Sequence, residues 1–160
     1  MVVKRSTMSM SADEVRAYIA RNLFGRLATA SSGGQPHITP LAYVDWEGQL
    51  YIRVLRRSKR ASHLAENPKV AICIDDGVAP GEGYPDRRGV VVSGDCVPAD
   101  QVAPGHPVEQ IFLDRHRVTP EHLWVPSHRW MVIIPDNIVS WDFSKIPAGL
   151  DRNLDRVREE

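Results

Sequence analysis

The stretch HITPLAYVDWEGQLYIRVL, residues 37–55, decides the fold class. Along it Ile38, Ala42, Val44 and Trp46 fall on one side, and His37, Thr39, Leu41 and Tyr43 on the other. A period of two marks a strand whose faces meet different surroundings. Glu47-Gly48 supplies a two-residue turn whose twist suits an antiparallel pair, and Gln49–Leu55 returns rich in branched and aromatic residues. The residues predict a β-hairpin.

Upstream, Gly25–Ala30 (GRLATA) reads as a short strand and SSGGQP at 31–36 as a turn. Ser11 and Glu14 form a capping-box pattern ahead of Val15, Tyr18, Ile19 and Leu23, which share a helical face; this predicts a helix over 11–23, with 1–10 as a flexible tail. Downstream, Ser58–Glu66 reads as a short helix stopped by Asn67-Pro68, and Lys69–Asp75 as a strand. The Gly- and Pro-rich run DGVAPGEGYPDRR at 76–88 reads as a loop, Gly89–Val97 as a strand, and 108–117 as a helix. Arg129–Ile134 and Ile138–Phe143 read as two strands joined through Pro135-Asp136-Asn137, and residues 146–160 as a C-terminal tail. Consecutive runs of strands favour antiparallel pairing, and closure is the usual way for many short strands to lose their edges. The expected fold is mainly β with peripheral helices: a small antiparallel barrel of six to seven strands occupying 11–145.

Composition narrows the function. Twenty basic and twenty acidic side chains cancel, so no global charge draws the chain to nucleic acid or an anionic membrane. No segment approaches the ~20 apolar residues of a membrane span. The opening stretch MVVKRSTMSM lacks the apolar run of a secretory signal. Cys73 and Cys96 each sit in an apolar run with no C-x-x-C spacing, and a cytoplasmic location is expected.

The positive charge is concentrated. Arg53, Arg56, Arg57, Lys59 and Arg60 lie within eight residues, where a strand ends and a helix begins. Ser58 is a good N-cap, and beneath it the first helical turn presents unpaired backbone N–H groups and the positive end of the helix dipole. Such a turn can receive a phosphate; the other reading is a solvated basic surface. G-x-S-x-G, P-loop and H-E-x-x-H patterns are all absent. His106, His116, His122 and His128 lack metal-ligand spacing, so no metal site is expected.

Taken in order, Pro36-His37 through Tyr51, Ser58-Lys59-Arg60-Ala61, and Glu66-Asn67-Pro68-Lys69-Val70-Ala71 resemble the pyridoxamine 5′-phosphate oxidase-like superfamily, the FMN-binding split β-barrels. Gly25–Thr29, Val90–Gly94 and Val139–Phe143 resemble further strands of that family, so the likeness spans residues 11–145. The resemblance implies a homodimer with FMN at the subunit interface and hydride transfer to or from a small organic substrate. It implies that Ser58, Lys59 and Arg60, with Arg57, hold the cofactor phosphate. His37, Thr39, Pro40 and Leu41 of one strand and Arg53-Val54 of the next would line the ring and its chain, and Arg88 would reach the cofactor from the partner. No catalytic residue is implied. Two departures shape the expectation. The family's arginine-rich substrate motif is replaced by Trp-Asp-Phe-Ser-Lys at 141–145, so oxidation of pyridoxamine phosphate itself is not expected. His37 stands where the family carries an arginine, which leaves open the branch that uses the deazaflavin coenzyme F-420. A non-catalytic flavin- or haem-binding module is the other alternative. Tyr84 and Arg87-Arg88 make the 76–88 loop a candidate substrate lid.

Overall fold

A computed structural model describes residues 5–75, 77, 81–83 and 86–146. The hairpin forms as its alternation predicts. Pro36–Trp46 (β2) pairs with Gln49–Leu55 (β3), Tyr43 opposite Ile52 and Trp46 opposite Gln49. Glu47 (φ 51°) and Gly48 (φ 75°) both take left-handed backbone, the geometry of the tightest hairpin turn. Four further strands, Phe24–Ala30 (β1), Lys69–Asp75 (β4), Arg88–Pro98 (β5) and His128–Asp142 (β6), close an antiparallel barrel in the order β1-β2-β3-β6-β5-β4.

Closure uses six strands, because the two expected at 129–134 and 138–143 are one. Pro135-Asp136-Asn137 is not a turn: Ser93 pairs with Asn137 and Gly94 with Pro135, so Asp136 is an extra residue in a β-bulge. Beyond Ile133 the strand pairs only with β5 among the described residues, which is where a proline is tolerated. Gly94 makes the bulge possible, since a Cβ there would collide with the Ile134 carbonyl.

The alternation of β2 sorts residues between two cores. Leu41 and Tyr43 point into the barrel with Leu50, Ile52, Val54, Ile72, Val92, Met131 and Ile133. Ala42, Val44 and Trp46 point outward and join Tyr51, Trp130 and Val132 beneath two outer helices, Pro107–His116 (α4) and Pro120–Leu123 (α5). Phe112 of α4 meets the Trp130 ring edge-on at 5.3 Å. The short α5 was not expected from the sequence.

Helices stopper the two barrel ends. Ala12–Arg21 (α2) carries the full capping box at Ser11 and Glu14 and places Tyr18 and Ile19 in the interior core. It ends before Leu23, which is exposed. Tyr43 donates its hydroxyl to the Ile19 carbonyl at 2.7 Å. At the other end Lys59–Glu66 (α3) inserts Ala61 and Leu64. Within the segment expected as a tail, Arg5–Met8 forms a helical turn (α1), and the Met10 N–H donates to Ser140 Oγ at 3.0 Å. A 3₁₀ turn, Phe143–Lys145, follows β6. No helix among the described residues is long and apolar enough to cross a membrane.

Candidate functional site

The basic turn after β3 is built around Ser58. Its side-chain oxygen accepts from the Ala61 N–H at 3.1 Å and donates to the Leu55 carbonyl at 2.7 Å, capping α3 and closing the turn together. The backbone N–H groups of Lys59 and Arg60 lie in the first helical turn, where no intrahelical acceptor exists. Arg57 and Lys59 are exposed and Arg60 is half-buried.

Arg60 ties this turn to the rim of the barrel. Its Nη1 donates to Thr39 Oγ1 at 2.9 Å, while its Nε is buried without a hydrogen-bond partner among the described residues. Burial pulls the pKa of its guanidinium down. Thr39 shares the inward face of β2 with His37, whose ring stands edge-on to His63 of α3 at 6.0 Å. His63 is 5% exposed and its Nδ1 shares a hydrogen bond with Thr29 Oγ1 at 3.1 Å. Helix α3, the β1–β2 end and the basic turn thus form one polar rim.

The other expected site residues divide by position. Pro40 is exposed on the outer face, while Leu41 and Val54 point into the core, so only their backbone can meet an external ligand. Arg53 is engaged elsewhere: its guanidinium donates to the Leu123 carbonyl and, at 3.4 Å, to that of His122, fastening α5 to β3. Arg88 lies at the opposite barrel end, opposite Asp142, and its carbonyl accepts the Tyr18 hydroxyl at 3.0 Å. A single chain therefore brings His37, Thr39, Ser58 and Arg60 together but leaves Arg88 remote.

Arg88 borders a cleft of about 590 Å³ with Trp141, Phe143 and Arg87. The Trp141 ring covers Gly89 so closely that a Cβ there would collide with its six-membered ring. Arg87 stands over Phe143, 5.2 Å from the ring centroid. No spacing rule could have shown this platform, because Gly89 and Trp141 meet only through the β5–β6 register. Of the 76–88 loop, Asp76, residues 78–80 and Tyr84-Pro85 lie outside the described residues, as does most of the expected C-terminal tail.

Four scattered histidines have local partners. His106 Nδ1 accepts from the Val108 N–H, His116 Nε2 donates to the Tyr43 carbonyl, and His122 and His128 bond Thr119 and Ser127. Among the described residues no group of three or more His, Cys, Asp or Glu is placed to hold a metal. Both cysteines are free thiols, and burial pushes Cys96 up to about 12.

One broad surface stays uncovered by any helix among the described residues. Neighbouring strands carry Ile38, Ala28, Ala71 and Ser93 in one row and Pro40, Arg26, Cys73, Val91 and Val139 in the next. Ile38 is 63% exposed and Phe24 58%. Arg26, the one cation in those rows, is paired with Asp75.

Comparison with known proteins agrees with this architecture. The family model described as pyridoxamine 5′-phosphate oxidase matches residues 11–142. A conserved hypothetical protein of Mycobacterium tuberculosis is 25% identical, with 91% of this chain and 94% of that chain covered at a TM-score of 0.75. An FAD-binding protein of Mesorhizobium loti is 26% identical, with 82% and 93% covered at a TM-score of 0.63. The haem storage protein HutZ of Vibrio cholerae, 13% identical with 81% and 94% covered at a TM-score of 0.64, shares the fold. No curated protein matches. On the family match and the closed barrel together, the chain belongs to the pyridoxamine 5′-phosphate oxidase family of split β-barrels.

Proposed function

We propose that this protein is a flavin-dependent oxidoreductase that binds FMN between two copies of itself and serves a small organic substrate. The observation that carries the reading is the Ser58–Arg60 turn, where a capped helix start adjoins a half-buried arginine whose Nε lacks an acceptor. The residues present fit a phosphate. Backbone N–H groups of Lys59 and Arg60 and the cations of Arg57, Lys59 and Arg60 are donors only, and a phosphate supplies the acceptors. A bound flavin would supply the hydride chemistry, and the protein supplies binding and orientation. Arg60, oriented by its hydrogen bond to Thr39, would help hold the phosphate beside the barrel rim.

Two observations support the dimer. The uncovered sheet face is largely apolar, and Arg88 lies at the barrel end away from the turn. A second copy on that face would cover it and could bring its Arg88, Trp141 and Phe143 toward the first copy's rim. The FAD-binding relative supports a flavin in general. The deazaflavin coenzyme F-420 is the alternative cofactor because His37 replaces the family arginine; a cofactor-binding module without turnover is the alternative role. Cytoplasmic location remains part of the proposal.

Titration of purified protein with FMN, FAD and deazaflavin, followed by absorbance and flavin fluorescence, tests the reading. Micromolar binding that falls steeply in the Lys59→Ala/Arg60→Ala variant is expected. No binding of any of the three, or binding indifferent to those changes, overturns it. Oxidation of the reduced, loaded protein by an added acceptor separates an enzyme from a carrier.

A further inference from the structure

A further arginine reaches the basic turn from a distant part of the chain. Arg129 of β6 pairs with Val54, the last buried residue of β3 before the turn. Residues paired across two strands share a face of the sheet, and Val54 lies in the interior core. Met131 and Ile133, the next residues of the same parity along β6, lie in that core as well. The Arg129 side chain therefore leaves its strand on the inner face of the barrel. The adjoining pair is Leu55 and His128, and the Leu55 carbonyl accepts both the Ser58 N–H, at 3.1 Å, and the Ser58 hydroxyl, at 2.7 Å. Arg129 thus stands one strand away from the capped start of α3.

Arg129 and Arg60 meet over Cys96 of β5, which is 1% exposed and whose N–H donates to the Pro68 carbonyl just beyond α3, at 2.8 Å. Burial pushes the Cys96 thiol up, and the charges of Arg129 and then Arg60 pull it back, so both guanidinium groups lie within electrostatic reach of one buried atom. Both arginines are half-buried. Among the described residues neither has an ion pair, and neither have Arg57 and Lys59 beside them. The acids of the adjoining elements are engaged elsewhere, Asp95 with Lys69 and Glu66 with Ser32. Charges withdrawn from water are normally paired, and like charges held together repel. An anion from solution would relieve both costs.

We propose that Arg129 is a further phosphate-binding residue, which with Arg60 grips, from β6 and α3, the phosphate received by the Ser58 turn. This rests on the reading of that turn as the cofactor's phosphate site. The helix start supplies backbone N–H donors, and each guanidinium adds a planar fork that matches two phosphate oxygens. A phosphomonoester dianion has acceptors for both forks at once. Arg129 therefore acts on the phosphate and not on the flavin ring, and sets the preference for a phosphorylated flavin over the bare one.

Titration of Arg129→Gln with FMN and with riboflavin, which has the same ring and no phosphate, reads this role. FMN affinity is expected to fall about tenfold, the loss expected for one charge-assisted hydrogen bond, while riboflavin affinity stays at the wild-type value. Without ligand the urea midpoint is expected not to fall, since the substitution removes a charge that has no partner. Arg129→Lys, which returns the charge without the fork, is expected to recover part of the FMN affinity, and it serves in place of the glutamine variant should that one not fold. An equal loss for FMN and riboflavin marks a merely structural residue and overturns the proposal. So does an unchanged FMN affinity in a protein whose binding still depends on Lys59 and Arg60, and the flavin site itself then stands. If no flavin binds, the flavin reading has failed and inorganic phosphate decides the role of Arg129. Its Nε–H resonance in ¹⁵N-labelled protein, assigned by its loss in Arg129→Gln, is expected to shift on adding phosphate. A resonance unmoved at roughly 10 mM phosphate, a concentration at which even millimolar affinity saturates, overturns the proposal.

Discussion

Arg60 shows how one side chain joins local chemistry to the fold. Its guanidinium spans from the start of α3 to Thr39 on the barrel rim and keeps an unpaired Nε beside the basic turn. Arg60→Met, which keeps much of the stem and removes the charge, is expected to weaken FMN binding about tenfold or more, read by flavin fluorescence; a charge-assisted hydrogen bond is worth about 1.5–3 kcal/mol. Ser58 has a different part. Because its oxygen already caps α3, Ser58→Ala is expected to cost about 1 kcal/mol of stability in the absence of any ligand, seen as a lower urea midpoint. His116 contributes a pH dependence to stability. Its ring lies against Phe112 with centroids 4.4 Å apart, and Nε2 donates to the Tyr43 carbonyl at 3.1 Å. Burial, acting first, lowers its pKa below the ordinary value. The unfolded chain therefore takes up this proton at about pH 6.5 while the folded one resists, so stability falls as pH drops through that range. Urea unfolding at pH 7.5 and 5.5 should show the loss, and His116→Gln should reduce the difference between the two.

Among the elements, β6 best shows what a linear pattern conceals. Pro135-Asp136-Asn137 has turn composition, yet the strand passes through it, because Gly94 on the neighbouring strand leaves room for a bulge. Gly94→Ala is expected to destabilise the protein by about 1–3 kcal/mol, the range in which a forced backbone shift falls, or to give insoluble protein; a neutral result would contradict the bulge geometry. Elements whose signals are local were legible from sequence. The capping box at Ser11 and Glu14, the Glu47-Gly48 turn and the Ser58 cap each rely on neighbours a few residues away. Helix α5 was not legible: it is one turn long, lacks a side-chain cap, and is held by Arg53 from another element.

For the molecule as a whole, the uncovered face formed by β1, β2, β4 and β5 organises the functional proposal. Equilibrium sedimentation is expected to show a dimer. Ala28→Arg with Ala71→Arg, placed side by side where β1 and β4 pair, is expected to give a folded monomer with flavin affinity greatly reduced despite an intact Ser58–Arg60 turn. A wild-type monomer that binds flavin fully would refute the shared site.

Sequence by itself determined the period-two hairpin, the helix caps, the antiparallel class and the concentration of cations at 53–60, all encoded by residues close along the chain. Tertiary structure decided which of those cations share a site. Barrel closure turns Arg60 toward Thr39 and Arg53 toward α5, sets the Trp130 ring against Phe112, and lays Trp141 on Gly89. Those meetings depend on strand register and closure between residues far apart in sequence, and no local pattern carries that information.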